Sequence, residues 1–315
     1  MTLDILRERQ GWSLNQKIDH SIGVIEQFYE RLNGNVYISF SGGKDSTVLL
    51  WLARKVYPNI KAVFCNTGNE YPDVVKFVRS MKESGENVDI VYPALKPRDV
   101  FREYGFPLIS KETAGKIWMC RNRPHTKLAI DALSSESRYK KLPKCYYYLL
   151  KEPYEVSDAC CKILKKKPMR EYELKYGLSP IIGTLADESK TREQAYIKRG
   201  GCNVFNKRDT RKQNSMPLSI WTNEDIWKCI NENNIKIAEI YKKGIQRTGC
   251  MCCMFGTQFK DDTRLDVLYN LYPKWYSTFM DYENNGTTYR EAARKFLSTH
   301  KLFLPDEKPL SLFNY

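Results

Sequence analysis

One stretch constrains the fold of this chain more than any other. A predicted strand (residues 35–40), a glycine-rich turn (residues 41–46, Ser-Gly-Gly-Lys-Asp-Ser) and a predicted helix (residues 47–54) follow directly on one another. Gly42 and Gly43 permit backbone conformations and close approach that a side chain would block. A turn of this kind points backbone N–H groups and the positive end of a helix at an anion. The stretch therefore predicts a polyphosphate site.

The side chains of the turn suit a nucleotide that carries a magnesium ion. Ser41 and Ser46 add hydroxyl donors, and Lys44 adds a mobile cation. The Asp45 carboxylate would not help to bind a bare phosphate, but it suits a site in which Mg²⁺ bridges the carboxylate and the phosphate. The spacing is not that of the Walker A motif. An ordinary glycine turn between a strand and a helix is the alternative.

Further strands and helices alternate along the chain. Residues 60–65, 88–91 and 179–184 have the composition of strands, and residues 73–82 have that of a helix. This alternation predicts an α/β fold with a doubly wound, mostly parallel sheet. Residues 3–32 carry apolar side chains near helical spacing. They predict an amphipathic helix that serves for packing or for contact in a homodimer.

The turn at residues 41–46 resembles the SGGxDS signature of the PP-loop ATP pyrophosphatases. Members of that family cleave ATP between the α and β phosphates and adenylate an acceptor. The resemblance implies a Rossmann-like fold of the adenine nucleotide alpha hydrolase type, with ATP and Mg²⁺ bound at the turn. It implies catalytic roles for Lys44 and Asp45. The nucleotide-binding residues that it implies here are Ser39, Ser41, Gly42, Gly43, Lys44, Asp45 and Ser46.

Two later segments are similar to the phosphoadenylyl-sulfate (PAPS) reductase branch of the same family. Residues 66–72 resemble its D-T-G-x-x-F/Y-P motif, with Asn66 in place of the aspartate. Residues 183–192 resemble its G-x-R-A-D-E-S-x-x-R segment, with Leu185 in place of the first arginine. In relatives this second segment lines the pocket for the nucleotide or sulfate ester. The resemblance adds these predicted binding residues: Thr67, Gly68, Gly183, Asp187, Glu188, Ser189 and Arg192.

The chain has 10 cysteines. In a chain that reads as cytosolic, so many cysteines favour metal or redox chemistry over disulfides. The adjacent pair Cys160-Cys161 and the pair Cys250-x-x-Cys253 could bring four thiolates together. Their chemistry suits either a [4Fe–4S] cluster or zinc, and the residues alone do not choose between the two.

These cysteines resemble those of the assimilatory adenylyl-sulfate (APS) reductases, in which Cys-Cys and a later Cys-x-x-Cys surround a [4Fe–4S] cluster. The run at residues 241–250 is also similar to the Y-x-x-G-Y-x-R-x-G-C of that group. The resemblance implies that Cys160, Cys161, Cys250 and Cys253 hold a [4Fe–4S] cluster. Zinc, or buried thiols without redox chemistry, are the alternatives. Cys252 is a spare thiol that could substitute as a ligand.

Charge and hydropathy indicate the environment and the partners. The formal net charge is +14, and residues 116–170 hold 14 Lys and Arg against five Asp and Glu. This basic segment predicts a polyanionic partner such as DNA or tRNA, with a merely solvated basic surface as the alternative. No apolar run reaches the length of a membrane span and the first residues lack a signal-peptide pattern. We therefore expect a soluble cytoplasmic protein that does not contact a membrane.

The motifs also suggest a division of the chain. We expect an N-terminal helical segment (residues 1–34) and a PP-loop/PAPS reductase-like domain (residues 35–256) with the basic segment as an insertion. A C-terminal helical segment (residues 257–315) follows.

Three functions are compatible with these features. The ATP-cleaving turn, the cysteines and the basic segment together resemble sulfur-inserting enzymes, chiefly the DNA phosphorothioation ATP pyrophosphatases and more distantly the tRNA thiolases. A cysteine desulfurase would then supply the sulfur. The second function is an APS or PAPS reductase with a sulfonucleotide substrate and a thioredoxin-like partner. It needs a nucleophilic cysteine, and none follows Cys253, so Cys120 or Cys202 would have to serve. The third is a redox-sensing nucleic-acid-binding protein.

Overall fold

The computed structural model describes residues 2–134, 136, 140–206, 213–259 and 262–308. The chain forms two compact units, each assembled from three separate stretches. The first unit comprises Met1–Asn66, Tyr71–Tyr92 and Pro168–Thr248, and the second comprises Thr67–Glu70, Pro93–Lys167 and Gly249–Tyr315. The boundaries expected at residues 34 and 256 stay predictions, because compact units need not coincide with the domains that sequence motifs define.

The four predicted strands form in the predicted order, and further strands and helices lie between and around them. The strands are β1 (Val36–Phe40), β2 (Ala62–Cys65), β3 (Val88–Val91), β4 (Leu108–Ile109), β5 (Ser179–Ile182), β6 (Asn203–Val204), β7 (Asn214–Ser215), β8 (Met254–Phe255), β9 (Glu283–Asn284) and β10 (Thr287–Thr288). The α-helices are α1 (Leu3–Gln10), α2 (Leu14–Arg31), α3 (Lys44–Val56), α4 (Pro72–Glu83), α5 (Pro97–Tyr104), α6 (Lys111–Asn122), α7 (Lys127–Ser134), α8 (Lys167–Tyr176), α9 (Lys190–Arg199), α10 (Asn223–Glu232), α11 (Arg264–Leu271), α12 (Pro273–Met280) and α13 (Tyr289–Ser298).

A six-stranded sheet forms the centre of the first unit, with the order β3-β2-β1-β5-β7-β6. All neighbouring strands pair in parallel except β6 and β7, which are antiparallel. Ile38 in β1 is fully buried and lies opposite Ala62 on one side and Ile181 on the other. Helices cover such parallel strands on both faces, and the strands therefore read as continuous apolar runs. The predicted α/β fold with a mostly parallel sheet is confirmed.

The N-terminal amphipathic segment forms two helices, so the prediction of one helix over residues 3–32 is wrong. Helix α1 ends at Gln10, with Gly11 as its C-cap, and Ser13 is the N-cap of α2, where it forms a capping box with Gln16. The serine hydroxyl and the glutamine side chain satisfy backbone N–H groups of the new helix, so a helix start is stable here despite the continuing apolar pattern. Within the described part of the chain, no helix is both long enough and apolar enough to cross a membrane.

The second unit has small sheets and an aromatic core. Strands β4 and β8 pair in parallel, and β9 and β10 form an antiparallel hairpin. Tyr289 is fully buried, with its ring 5.1 Å from Phe101 and 5.0 Å from Phe106 between centroids. Its hydroxyl donates to the carbonyl oxygen of Cys252 at 2.6 Å. This aromatic core therefore supports the turn that carries the later cysteines.

Candidate functional site

The glycine turn in the first unit connects the end of β1 to the start of α3. Gly42 has a φ of +68°, and a Cβ atom there would lie 2.7 Å from Val74 Cγ1 and 2.8 Å from Val78 Cγ2 of α4. Real Cβ atoms do not approach so closely, and a left-handed φ also favours glycine. The strand, the turn and the helix follow one another as predicted, but α3 begins at Lys44, three residues earlier than expected, so Lys44, Asp45 and Ser46 belong to its first turn. The N-terminus of α3 lies at the carboxyl end of β1, where open α/β sheets bind ligands.

Two serine side chains hold the turn in shape. The Ser46 hydroxyl donates to the carbonyl oxygen of Gly43 at 2.9 Å, and the Ser41 N–H donates to Ser46 Oγ at 3.2 Å. The two serine hydroxyl oxygens lie 3.0 Å apart. Ser39, also predicted as a binding residue, stands earlier, within β1, where it pairs with Val63 and Ile182. The structure thus brings Ser41 and Ser46 together at the turn and leaves Ser39 in the strand.

Lys44 and Asp45 form an ion pair in the first turn of α3. Lys44 Nζ lies 2.7 Å from Asp45 Oδ1, and the lysine side chain is 5% exposed against 24% for the aspartate. An unpaired buried ammonium group would be costly, and the ion pair with Asp45 offsets that cost. A carboxylate at a helix N-terminus is itself stabilised by the helix dipole. The pair therefore keeps a cation at the turn.

Two residues from a distant segment reach the same turn. The Tyr241 hydroxyl accepts a hydrogen bond from the Lys44 N–H at 2.7 Å, and it lies 3.1 Å from Thr248 Oγ1. Neither residue was predicted as part of the site. The available signal was the similarity of residues 241–250 to a family motif, but that similarity was taken to indicate only the role of the cysteines.

Charged residues from the segment after β5 also lie in the first unit. Glu188 forms ion pairs with Arg192 and, at 3.4 Å, with Arg247. Burial and the neighbouring charge of Arg247 lower the pKa of Arg192, and Asp45 opposes this shift. The charges of Arg247 and Asp45 near the turn thus affect the pKa of Arg192 in opposite directions. Arg247 is a further residue that the motif-based prediction missed.

The remaining predicted residues of this segment differ in how close they lie to the glycine turn. A Cβ atom at Gly183 would lie 3.2 Å from the carbonyl oxygen of Asp45, so this glycine lets β5 end close against α3. Ser189 is the N-cap of α9, and its hydroxyl accepts from the Arg192 N–H at 3.3 Å. Asp187 is exposed. Gly183 and Arg192 therefore come close to the turn, and Ser189 has a structural contact.

Thr67 and Gly68 belong to the second unit. Thr67 is buried, and its N–H and hydroxyl both donate to the Glu70 carboxylate at 2.8 Å. Burial raises the pKa of Glu70, although the hydrogen bonds from Thr67 lower it. The predicted roles of Thr67 and Gly68 in nucleotide binding stay predictions.

The cysteines of both predicted groups lie in the second unit. Cys160 and Cys161 stand at the start of a π-helical segment (Cys161–Lys166), and Cys250 and Cys253 stand in the turn before β8. A hydrogen bond to Cys161 raises the pKa of Cys160, and burial and the charges of Cys253 and Cys250 add to this. The same hydrogen bond lowers the pKa of Cys161, with help from Lys111. The charges of the two cysteine pairs thus affect one another, and the role of the four thiols as metal ligands stays a prediction.

Cys252 has surroundings of a different kind. It is 2% exposed, and its thiol donates to Asn69 Oδ1 at 3.3 Å. Burial raises its pKa well above the usual range for a thiol. A neutral, hydrogen-bonded thiol of this kind packs as a small apolar group.

The four interacting thiols provide soft donors for a metal centre. Among the described residues, no group of three or more His, Cys, Asp or Glu side chains is arranged to hold a metal ion. An iron–sulfur cluster is bound by cysteine thiolates, which is the donor chemistry of Cys160, Cys161, Cys250 and Cys253. The residue types therefore fit a cluster, and its presence stays a proposal.

Several curated proteins are similar to this chain. An uncharacterised protein of Methanocaldococcus jannaschii is 27% identical over 81% of this chain and 51% of that protein. A second uncharacterised protein of the same organism is 26% identical over 74% of this chain and 39% of that protein. The chain thus spans about half or less of the length of these two relatives. The adenosine 5'-phosphosulfate reductase of Lysinibacillus sphaericus is 24% identical over 80% of this chain and 89% of that enzyme.

Two solved structures resemble the chain more remotely. The PAPS reductase of Candida auris in a phosphate complex has a TM-score of 0.42 and 14% identity, over 69% of this chain and 81% of that chain. The U34-tRNA thiolase NcsA of Methanococcus maripaludis with its [4Fe-4S] cluster has a TM-score of 0.38 and 12% identity, over 85% of this chain and 77% of that chain. Similarity at this level does not extend to activity, substrate or cofactor.

A sequence profile of a known domain covers most of the chain. The profile of the phosphoadenosine phosphosulfate reductase domain matches residues 35–114 and 119–255. This match confirms the predicted relationship to the PAPS reductase branch and to a family of enzymes. The chain therefore belongs to the phosphoadenosine phosphosulfate reductase domain family.

Proposed function

We propose that this chain cleaves ATP between the α and β phosphates and activates an acceptor for sulfur transfer. The acceptor that we propose is a nucleic acid, either DNA or tRNA. The observation that carries the proposal is the ion pair of the buried Lys44 with Asp45 in the first turn of α3, directly after the glycine turn. A site that holds a cation and a carboxylate at a helix N-terminus suits a polyphosphate that arrives with Mg²⁺.

The residues of the turn would bind and orient the polyphosphate. Backbone N–H groups at the start of α3 would donate to phosphate oxygens, and Gly42 lets the backbone approach them closely. Lys44 would stabilise the charge that develops on the pyrophosphate as it leaves. The ion pair of Asp45 with Lys44 would weaken, and Asp45 would face the magnesium ion that ATP brings as part of the substrate. Arg192 and Arg247, which share Glu188, are further cations for the triphosphate or the acceptor.

The cysteine group in the second unit has a proposed role in sulfur delivery. Cys160, Cys161, Cys250 and Cys253 would hold a [4Fe–4S] cluster, which would assist sulfur delivery, and zinc is the less favoured occupant. Lys111 favours the charged form of Cys161, which is the form that binds metal. A cysteine desulfurase is the proposed source of the sulfur.

Sulfonucleotide reduction is a second candidate, favoured by the similarity to the Lysinibacillus sphaericus APS reductase. It would need a nucleophilic cysteine and a thioredoxin-like partner. Burial raises the pKa of Cys202 to about 11, and burial also raises the pKa of Cys120. A thiol attacks as its thiolate, so a raised pKa makes both residues weak nucleophiles near neutral pH. This consideration favours ATP cleavage as the first candidate.

The deciding experiment measures pyrophosphate release from MgATP. The anaerobically purified full chain is assayed alone, with DNA and with tRNA, beside Lys44→Ala and the control Lys228→Ala. Lys228 is an exposed lysine of the same unit. We expect release that one nucleic acid stimulates, and a loss of about a hundredfold or more in Lys44→Ala only, because Lys44 stabilises the leaving group.

Pyrophosphate release that persists in Lys44→Ala, or no release with any acceptor, would contradict the proposal. Release of labelled sulfite from APS or PAPS with thioredoxin would then support the reductase. If the chain binds nucleic acid but turns over neither substrate, the redox-sensing nucleic-acid-binding protein would be favoured.

A further inference from the structure

Three hydroxyl groups converge on one face of Gly43. A Cβ atom built on this glycine would lie 2.7 Å from Thr248 Oγ1, and 3.3 Å from both Ser41 Oγ and Tyr241 Oη. Gly43 is the N-cap of α3 and has no side chain to cap the helix. Hydroxyl oxygens from two distant parts of the first unit therefore meet where the helix presents its positive end.

The hydroxyl of Tyr241 has a fixed place in this group. Tyr241 is 8% exposed, and its ring lies edge-on to Trp227 with 5.6 Å between centroids. The Lys44 N–H donates to its oxygen at 2.7 Å, and Thr248 Oγ1 lies at 3.1 Å. The ring is therefore held by packing, and the oxygen is held by polar contacts.

The Tyr241 hydroxyl has the capacity for one more hydrogen bond, as a donor. A phenol has one proton to donate and two lone pairs that accept. Lys44 occupies one lone pair, and Thr248 can occupy the other by donating its own hydroxyl proton. The proton of Tyr241 is then left to point at a third group. Burial raises the pKa of Tyr241 although its hydrogen bonds lower it, so the hydroxyl keeps this proton at neutral pH.

We propose that Tyr241 is a further phosphate-binding residue, whose hydroxyl donates to the pyrophosphate part of ATP while it accepts from the Lys44 N–H and from Thr248. Thr248 is then a positioning residue that acts through Tyr241. The positive end of α3 reaches the anion through the polarised phenol as well as through its own N–H groups. This inference deepens the proposed ATP site and rests on it.

The test measures equilibrium binding, so it does not depend on turnover or on the acceptor. Calorimetric titrations of the full chain with magnesium pyrophosphate and with AMP are compared for the unaltered protein, Tyr241→Phe and the control Tyr176→Phe. Tyr176 is an exposed tyrosine of the same unit. We expect Tyr241→Phe to bind pyrophosphate about tenfold more weakly, because a hydrogen bond to a charged group is lost. AMP binding should not change, and Tyr176→Phe should match the unaltered protein.

A second pair of variants separates this role from a structural one. Thr248→Val should also weaken pyrophosphate binding, while Thr248→Ser keeps the hydroxyl and should restore it. Equal binding of pyrophosphate by Tyr241→Phe and the unaltered chain would overturn the inference and leave the ATP site intact. Equal weakening for pyrophosphate and AMP would also overturn it, since that indicates a general structural effect. If the unaltered chain binds no pyrophosphate, both this inference and the proposed function are wrong.

Discussion

Gly42 is a residue at which two independent requirements exclude a side chain. Its φ of +68° is left-handed, and Val74 and Val78 occupy the space where a Cβ atom would lie. The sequence alone predicted the first requirement, because glycine pairs in turns commonly adopt such conformations. The second depends on α4, which packs against the turn only in the folded unit. The left-handed conformation of Gly42 was thus predictable from neighbouring residues, whereas its close contact with Val74 and Val78 was not.

We predict that Gly42→Ala destabilises the protein by about 2–5 kcal/mol, the sum of a left-handed alanine and an overpacked contact. Gly85→Ala is the matched control, because Gly85 has a φ of +88° and nothing within 4 Å of its Cβ position. Gly85→Ala should lower the free energy of unfolding only by the conformational part, about 1–2 kcal/mol. Urea unfolding measures both values. Equal losses in the two variants would show that the valines yield to the new methyl group.

Helix α10 shows how one carboxylate can serve two elements. Thr222 and Asp225 form the capping box at the start of α10. Asp225 also accepts from the ammonium group of Lys17 in α2 at 2.6 Å, and the Lys17 side chain is 2% exposed. The cap was predictable because its residues are three apart in sequence. The buried ion pair was not, because its partners are 208 residues apart.

We predict that Asp225→Asn lowers the free energy of unfolding by about 3–5 kcal/mol, because it leaves a buried ammonium group without its counter-charge. The double variant Lys17→Met/Asp225→Asn should be more stable than Asp225→Asn alone, since it removes the unpaired charge as well. Urea midpoints of the unaltered protein, both single variants and the double variant complete the cycle. Strict additivity of the two single losses would mean that the two side chains do not depend on each other.

Residues of the site that are neighbours in the sequence were predictable, whereas residues that join the site only through the fold were not. The turn at residues 41–46 is continuous, so its residues were assigned to an anion site directly. Tyr241 and Thr248 join it through tertiary packing across about 200 residues of sequence. The helix break between α1 and α2 was missed for another reason, because the apolar spacing continues through Ser13 and masks its capping signal.

The charge of the whole molecule allows a test of the proposed nucleic-acid partner. The net charge is +14, and the segment at residues 116–170 carries much of it. Lys140 and Lys144 are exposed in this segment, while Lys228 and Lys236 are exposed in the first unit. Contacts between lysines and phosphates release counterions, so binding weakens with salt in proportion to their number.

We predict that Lys140→Glu/Lys144→Glu weakens binding to DNA or tRNA and lowers the slope of log affinity against log salt by about two, if both lysines contact phosphates. The matched variant Lys228→Glu/Lys236→Glu makes the same change in net charge and should have the smaller effect. Fluorescence anisotropy across a salt series gives affinity and slope together. Identical results for the two double variants would show that only net charge matters and that the basic segment is no binding surface.

The order of strands in the six-stranded sheet also affects how the chain is made. β1 pairs with β2 on one side, but its other neighbour, β5, begins about 140 residues after β1 ends. A ribosome that adds about 5–20 residues per second needs roughly 7–30 s to produce that stretch. During this time the nascent chain has an apolar strand edge that can pair with other chains. We therefore expect chaperones that shield emerging chains, as much as the stability of the finished fold, to set the yield of folded protein.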